Sequence, residues 1–97
     1  MSSISTVLAA LETHFSNKLD ILVLNAAYNT RPALGTASNT DITNSLTANL
    51  HWPIVLMENL VRQALFTPCS RVVLMSSDRV RDPNPGSSLF TATKTAL

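Results

Sequence analysis

The sequence predicts an α/β fold built on a parallel sheet, and three observations predict it. Two short continuous apolar runs, residues 20–24 and 71–75, have the length and composition of strands buried on both faces. A long stretch with helical periodicity separates them. A further amphipathic stretch precedes the first run and another follows the second. The order is therefore helix, strand, helix, strand, helix. Two strands joined through a helix make a right-handed βαβ crossover in a parallel sheet.

Residues 3–17 read as the first helix. Ile4, Val7, Leu8, Leu11 and Phe15 fall on one face. Ser2 or Ser3 can cap its start, and Asn17 and Lys18 suit its end. Asp20 to Leu24, Asp-Ile-Leu-Val-Leu, is the first strand. Residues 25–39 read as a loop, carrying Asn25, Asn29, Pro32, Gly35, Ser38 and Asn39. The second helix is expected over 41–66, capped by Thr40 or Asp41. Ile42, Leu46, Leu50, Ile54, Met57, Leu60, Val61, Leu65 and Phe66 supply its apolar positions. Pro53 lies inside this pattern and must bend or divide the helix. Arg71 to Met75, Arg-Val-Val-Leu-Met, is the second strand, and a loop rich in Ser, Asp, Pro and Gly follows. The last helix begins near Ser88 and is still running at Leu97. Two strands cannot bury their own edges. Apolar surface on Ile21 to Leu24 and on the long helix is expected to lack a partner, so the chain reads as an incomplete unit.

Composition narrows the function classes. The chain has 97 residues, 45% hydrophobic and 13% charged, which suits one small folded domain and not a disordered segment. A formal net charge of +1 gives no footprint for nucleic acid or an acidic membrane. Arg71, Arg79, Arg81 and Lys94 are scattered and read as a solvated face. With Cys69 alone no intrachain disulfide can form, which fits a reducing compartment. Cys69 follows Pro68 just before the second strand and reads as a structural thiol. The N-terminus has no basic region or long apolar run, and no stretch is long enough to span a membrane, so a cytoplasmic location is expected. His14 and His51 are far apart with no clustered cysteine, so no metal site is expected. Asp78, Asp82 and Glu58 form no acid–base pair, and Trp52 reads as packing beside the proline.

Chemistry in a parallel α/β sheet sits beyond the carboxyl ends of the strands. Asn25 follows the first strand, and Ser76 and Ser77 follow the second, all on one edge. Each alone is also explained by turn preference. Pro53 has no N–H for the carbonyl four residues back, that of Asn49. That free carbonyl can hold an ordered water, or the kink can be purely structural. Phe90 and Lys94, four apart, share a helix face, where a core aromatic beside a snorkelling lysine is the plain explanation.

Taken in order, these pieces resemble one family. Asp20 to Ala27, Asp-Ile-Leu-Val-Leu-Asn-Ala-Ala, is similar to the strand and Asn-Asn-Ala-Gly turn of short-chain dehydrogenases/reductases. Asn49 stands where that family keeps an asparagine in a kinked helix. Arg71 to Ser77 resembles the strand that ends in the active-site serine. Thirteen residues after Ser77, Phe90 to Lys94 reads Phe-Thr-Ala-Thr-Lys, similar to the family's Tyr-x-x-x-Lys. The resemblance covers nearly the whole chain and implies a partial Rossmann-like doubly wound parallel sheet.

By resemblance, Ser77, Lys94, Asn49 and Phe90 occupy the catalytic positions. Ser77 would hydrogen-bond the substrate oxygen, and the Asn49 carbonyl would hold a proton-relay water. Lys94 would bind the nicotinamide ribose and lower the pKa of a neighbouring phenol. Asn25 would steady the sheet edge near the adenosine, and Ser76 would line the cofactor. The implied cofactor is NADP or NAD, which carries the hydride, and the implied substrate is a small-molecule alcohol or ketone.

The chain departs from the pattern at four points. Phe90 replaces the tyrosine, removing general acid–base catalysis worth roughly 10²–10⁴ in rate. Tyr28, the sole tyrosine, lies elsewhere. The Gly-x-x-x-Gly-x-Gly phosphate loop is absent, the two glycines being Gly35 and Gly86 in separate loops. Ala27 stands where glycine is usual. The chain stops within the last helix, before the family's substrate-shaping region.

Three readings follow. One is an NAD(P)-dependent oxidoreductase interconverting an alcohol and a ketone. Another is a truncated relic, inactive as the isolated chain. The third is an interaction protein, a homo- or hetero-oligomer formed through helix 41–66 that docks on an intact family member.

Overall fold

The computed structural model describes residues 2–28, 32, 35–77, 81 and 88–96. Asn29, Asp78, Arg79, Asp82, Gly86 and Leu97, named above, lie outside the described residues. The element order is α1 (Ser2–Phe15), β1 (Leu19–Leu24), α2 (Asn39–Leu46), a π-helical turn (Thr47–His51), α3 (Trp52–Arg62), β2 (Phe66–Leu74) and α4 (Ser88–Ala96). The two strands pair in parallel, as the α/β reading requires.

α1 begins at Ser2, so neither serine is placed ahead of the helix as its cap. Ser3 instead accepts a hydrogen bond from the Trp52 indole at 2.8 Å, which ties α1 to α3. The helix stops where Ser16 and Asn17 both take positive φ, at 52° and 56°, and Asn tolerates this region better than most residues. Phe15, expected on the buried face, is the last residue of the helix and is exposed. Ile4 and Leu11 are buried, and Val7 and Leu8 pack against them.

α2 starts earlier than its apolar pattern suggests. Ser38, not Thr40 or Asp41, is the N-cap. Its hydroxyl accepts from the Asp41 N–H at 3.0 Å, and the Asp41 carboxylate accepts from the Ser38 N–H at 3.3 Å. This reciprocal capping box satisfies two otherwise orphaned donors.

The long helix is divided at Pro53, as its sequence requires. The division is a π-helical turn in which the Trp52 N–H reaches Thr47 O. α3 then ends at Arg62 rather than running to residue 66. Ala64 donates to Val61 O at 3.1 Å and Leu65 to Leu60 O at 3.0 Å. These two bonds make a Schellman motif around Ala64, whose φ is 54°. The motif turns Leu65 back into the core and lets Phe66 open β2.

β2 is longer than the run 71–75. Leu19 pairs with Phe66 and Ile21 with Arg71, so β2 carries three extra residues between the two pairs. Pro68 and Cys69 lie in this bulge, where a residue without an N–H is tolerated. Cys69 has φ 63° and is exposed, so it is not the structural thiol its position suggested.

Ile4, Leu11, Leu19, Leu24, Leu56, Leu60 and Leu65 form the core between the helices and one face of the sheet. The strands are not covered on both faces. Ile21 is 63% exposed and Val23 53%, and the register places Val73, also exposed, beside Val23. On the long helix Ile42, Leu46, Ile54 and Val61 are exposed too. The buried stripe runs instead through Ser45, Asn49, Pro53, Leu56 and Leu60, apolar at one end and polar at the other.

Ala64→Gly should stabilise the chain by about 0.5–1 kcal/mol, because a left-handed conformation costs a residue with a Cβ about 1–2 kcal/mol and glycine returns part of that in chain entropy. Urea unfolding followed by circular dichroism would show the midpoint rising. A fall would mean that Ala64 is not strained in solution.

Candidate active site

The polar end of the buried stripe lies at the carboxyl edge of the sheet. The last rung of the ladder is Met75 N–H to Leu24 O, at 3.1 Å. Asn25 follows Leu24, and Ser76 and Ser77 follow Met75, so the parallel register sets all three on one edge. Asn25 and Ser76 are exposed, and Ser77 is half-buried.

Asn49 sits in the π-helical turn and is 0% exposed. Its Oδ1 accepts from the Tyr28 N–H at 2.7 Å, and its Nδ2 donates to the Tyr28 carbonyl at 2.9 Å. The amide therefore pairs with the loop leaving β1 as a neighbouring strand would. Nδ2 also donates to Thr93 Oγ1 on α4, at 3.0 Å. One side chain thus joins the exit of β1, the divided helix and α4. The side chain that braces the sheet exit is Asn49, whose main chain alone the sequence had singled out. Pro53, buried, offers no N–H to the Asn49 carbonyl.

Lys94 is 4% exposed, which is unusual for an ammonium unless it is paired. Its Nζ donates to the Met75 carbonyl at 3.0 Å, on the residue just before Ser76. Nζ also lies 5.9 Å from the centroid of the Phe90 ring, within reach of a cation–π attraction. The α4 face therefore presents its charge inward, toward the end of β2. Two groups that the sequence left unremarked complete the arrangement. Thr93 is buried between α4 and the divided helix, and Ser45 is buried one turn before Asn49. The available signal for Thr93 was its position three residues after Phe90, on the same helix face.

The structure brings Asn49, Phe90, Lys94 and the main chain of Met75 together through contacts, and brings Asn25, Ser76 and Ser77 to the same edge through register. Chemically this edge offers a buried cation, hydroxyls and an amide, with an aromatic ring beside the cation. Among the described residues no group of three His, Cys, Asp or Glu could hold a metal ion. No described helix is long and apolar enough to cross a membrane.

Asn49→Ala leaves the Tyr28 main chain without its buried partner, and should destabilise the chain by about 2–3 kcal/mol. Amide exchange at Tyr28 should accelerate with it. Unchanged exchange would mean that the Asn49 contact is absent in solution.

Comparison with known proteins bears on the fold and the family. No curated protein matches the chain by sequence. Among solved structures, a short-chain dehydrogenase/reductase from Serratia marcescens superposes with a TM-score of 0.85 at 24% identity, over 99% of this chain and 43% of that one. A short chain dehydrogenase from Burkholderia cenocepacia, solved in complex with NADP, gives 0.83 at 29% identity, over 99% and 38%. The angucycline ketoreductase LanV, solved with NADP, gives 0.83 at 20% identity, over 97% and 36%. The chain thus spans well under half the length of each of these structures. The family profile for short chain dehydrogenase matches residues 1–97. With its fold and its full length both matched, the chain belongs to the short-chain dehydrogenase family.

Proposed function

We propose that this chain forms the central part of a single short-chain dehydrogenase domain and carries its catalytic edge. The reaction class is hydride transfer between NADP or NAD and an alcohol or ketone, and the isolated chain is catalytically silent. The observation that carries the reading is the buried Lys94 ammonium, held 3.0 Å from Met75 O and 5.9 Å from the ring of Phe90. The charge suited to stabilising a phenolate is in place, and the residue beside it has no proton to give.

The residues present fit one end of a nicotinamide dinucleotide. An ammonium has three donors, and Met75 O uses one, leaving others for ribose hydroxyls. Ser76, exposed beside it, can line the same group, and Asn25 offers an amide on the neighbouring strand end. The relative at 29% identity that is solved with NADP supports this cofactor class. The pyrophosphate end finds no match in these residues. Gly35, at φ 92°, is the only described glycine; it lies in the connection from β1 to the Ser38 cap of α2, without the further glycines of a Gly-x-x-x-Gly-x-Gly phosphate loop.

When bound, the dinucleotide supplies the hydride. In this reading Ser77 would hydrogen-bond a substrate oxygen, and the Asn49 carbonyl, without a donor from Pro53, would hold a water. Phe90 fills the position of a general acid and cannot act as one, a loss of roughly 10²–10⁴ in rate. The free thiol of Cys69 supports a reducing, cytoplasmic setting.

The purified chain mixed with NADPH and a panel of ketones should oxidise cofactor no faster than a protein-free blank. Ketone-dependent oxidation above that blank would overturn the silence proposed here.

The exposure of Ile42, Leu46, Ile54 and Val61 supports a second reading, in which the helices over 41–66 dock on another family member or a second copy. Light scattering on the purified chain should then give a mass above 10.5 kDa that falls when Ile54 and Val61 are both changed to Ser. A monomer at high concentration would exclude the self-associated form.

A further inference from the structure

Lys94 and the ring at position 90 are useful only if α4 holds one rotation about its axis and one height along the sheet edge. Lys94 fixes one point, through Met75 O on the end of β2. A second point on a different element is needed to set both rotation and height. Thr93 supplies it. It is 1% exposed, and its hydroxyl both donates and accepts. It donates to Phe90 O at 2.9 Å, and so spends its single proton within α4. Its lone pairs are then turned toward Asn49 Nδ2, which donates to it at 3.0 Å. The direction of the first bond determines that of the second.

We infer that Thr93 is a positioning residue, pinning α4 to the π-helical turn through the Asn49 amide so that Lys94 and position 90 keep their places at the carboxyl edge. This rests on the reading of that edge as a dehydrogenase site. Two neighbouring residues of α4 thus bind two different elements, Thr93 the divided helix and Lys94 the end of β2. A valine at position 93 keeps the volume and removes the hydroxyl. Asn49 Nδ2 then faces an apolar methyl while its other bonds hold it in place, and α4 loses its second anchor. A serine keeps the hydroxyl and loses only the methyl.

The test labels lysines of the full chain with acetic anhydride and reads Lys94 by mass spectrometry, in the wild type, Thr93→Val and Thr93→Ser. Lys94 should be protected in the wild type and in Thr93→Ser. It should react about tenfold faster in Thr93→Val, the change in population expected from losing one buried hydrogen bond. Amide exchange at Leu56 and Leu60, in the core of α3, should be the same in all three. Wild-type protection of Lys94 in Thr93→Val would overturn the inference. So would a parallel acceleration at Leu56 and Leu60, because the hydroxyl would then serve general stability alone. The site reading is tested separately by Phe90→Tyr. The introduced phenol, followed by its ultraviolet absorbance against the wild-type background of Tyr28, should ionise about one pH unit or more below a free phenol, and Lys94→Met should abolish that lowering. An unshifted phenol would sink the site reading, while the labelling result would still decide the role of Thr93.

Discussion

The buried amide of Asn49 is the constraint on which the arrangement of this chain depends. A primary amide taken fully out of water must have its donors and acceptor satisfied, and an unsatisfied group costs about 1–3 kcal/mol. Here the partners come from two other segments, the main chain of Tyr28 beyond β1 and the hydroxyl of Thr93 on α4. Few placements of those segments satisfy all three bonds at once. A polar group in the interior therefore acts as a specification, since packing alone would tolerate small slides of one helix over another.

Asn49 can serve in this way because the helix that carries it is not regular. Pro53 removes one helical donor, and the turn before it widens so that Trp52 bonds five residues back. The widened turn sits where the buried stripe changes from Leu60, Leu56 and Pro53 to Asn49 and Ser45. The apolar half anchors the helix against the sheet, and the polar half meets the loop and α4. Lys94 extends the same logic to the neighbouring strand. Its ammonium is buried at an acceptable cost because the Met75 carbonyl and the ring of Phe90 receive it.

The other face of the sheet shows the opposite condition. Ile21, Val23 and Val73 stand uncovered, and among the described residues nothing pairs with the outer edge of either strand. A two-stranded parallel sheet with helices on one side is half of a layered α/β architecture, which ordinarily covers both faces. That agrees with a chain spanning 36–43% of the solved family members compared with it. The site edge is internally braced, whereas the open face depends on nothing within the described residues.

Element type was legible in the sequence almost throughout, because periodicity and short apolar runs report which residues avoid water. The parallel pairing followed from the crossover length, and the division at Pro53 from its missing N–H. The family was legible because Asn25, Asn49, Ser77 and the Phe90–Lys94 pair fall at fixed intervals, and intervals survive in a linear text. Boundaries were less legible. The early start of α2 needed the reciprocal bonds of Ser38 and Asp41, and the early end of α3 needed Ala64 in a conformation that its side chain does not favour. Cys69 read as structural because a bulge in β2 leaves no mark in composition. What only the tertiary structure decided was the wiring of the site: that Asn49 works through its side chain, that Thr93 receives it, and that Lys94 turns inward to Met75. Those contacts join residues far apart in the chain, and their energy comes from burial, which exists only once the segments have been brought together.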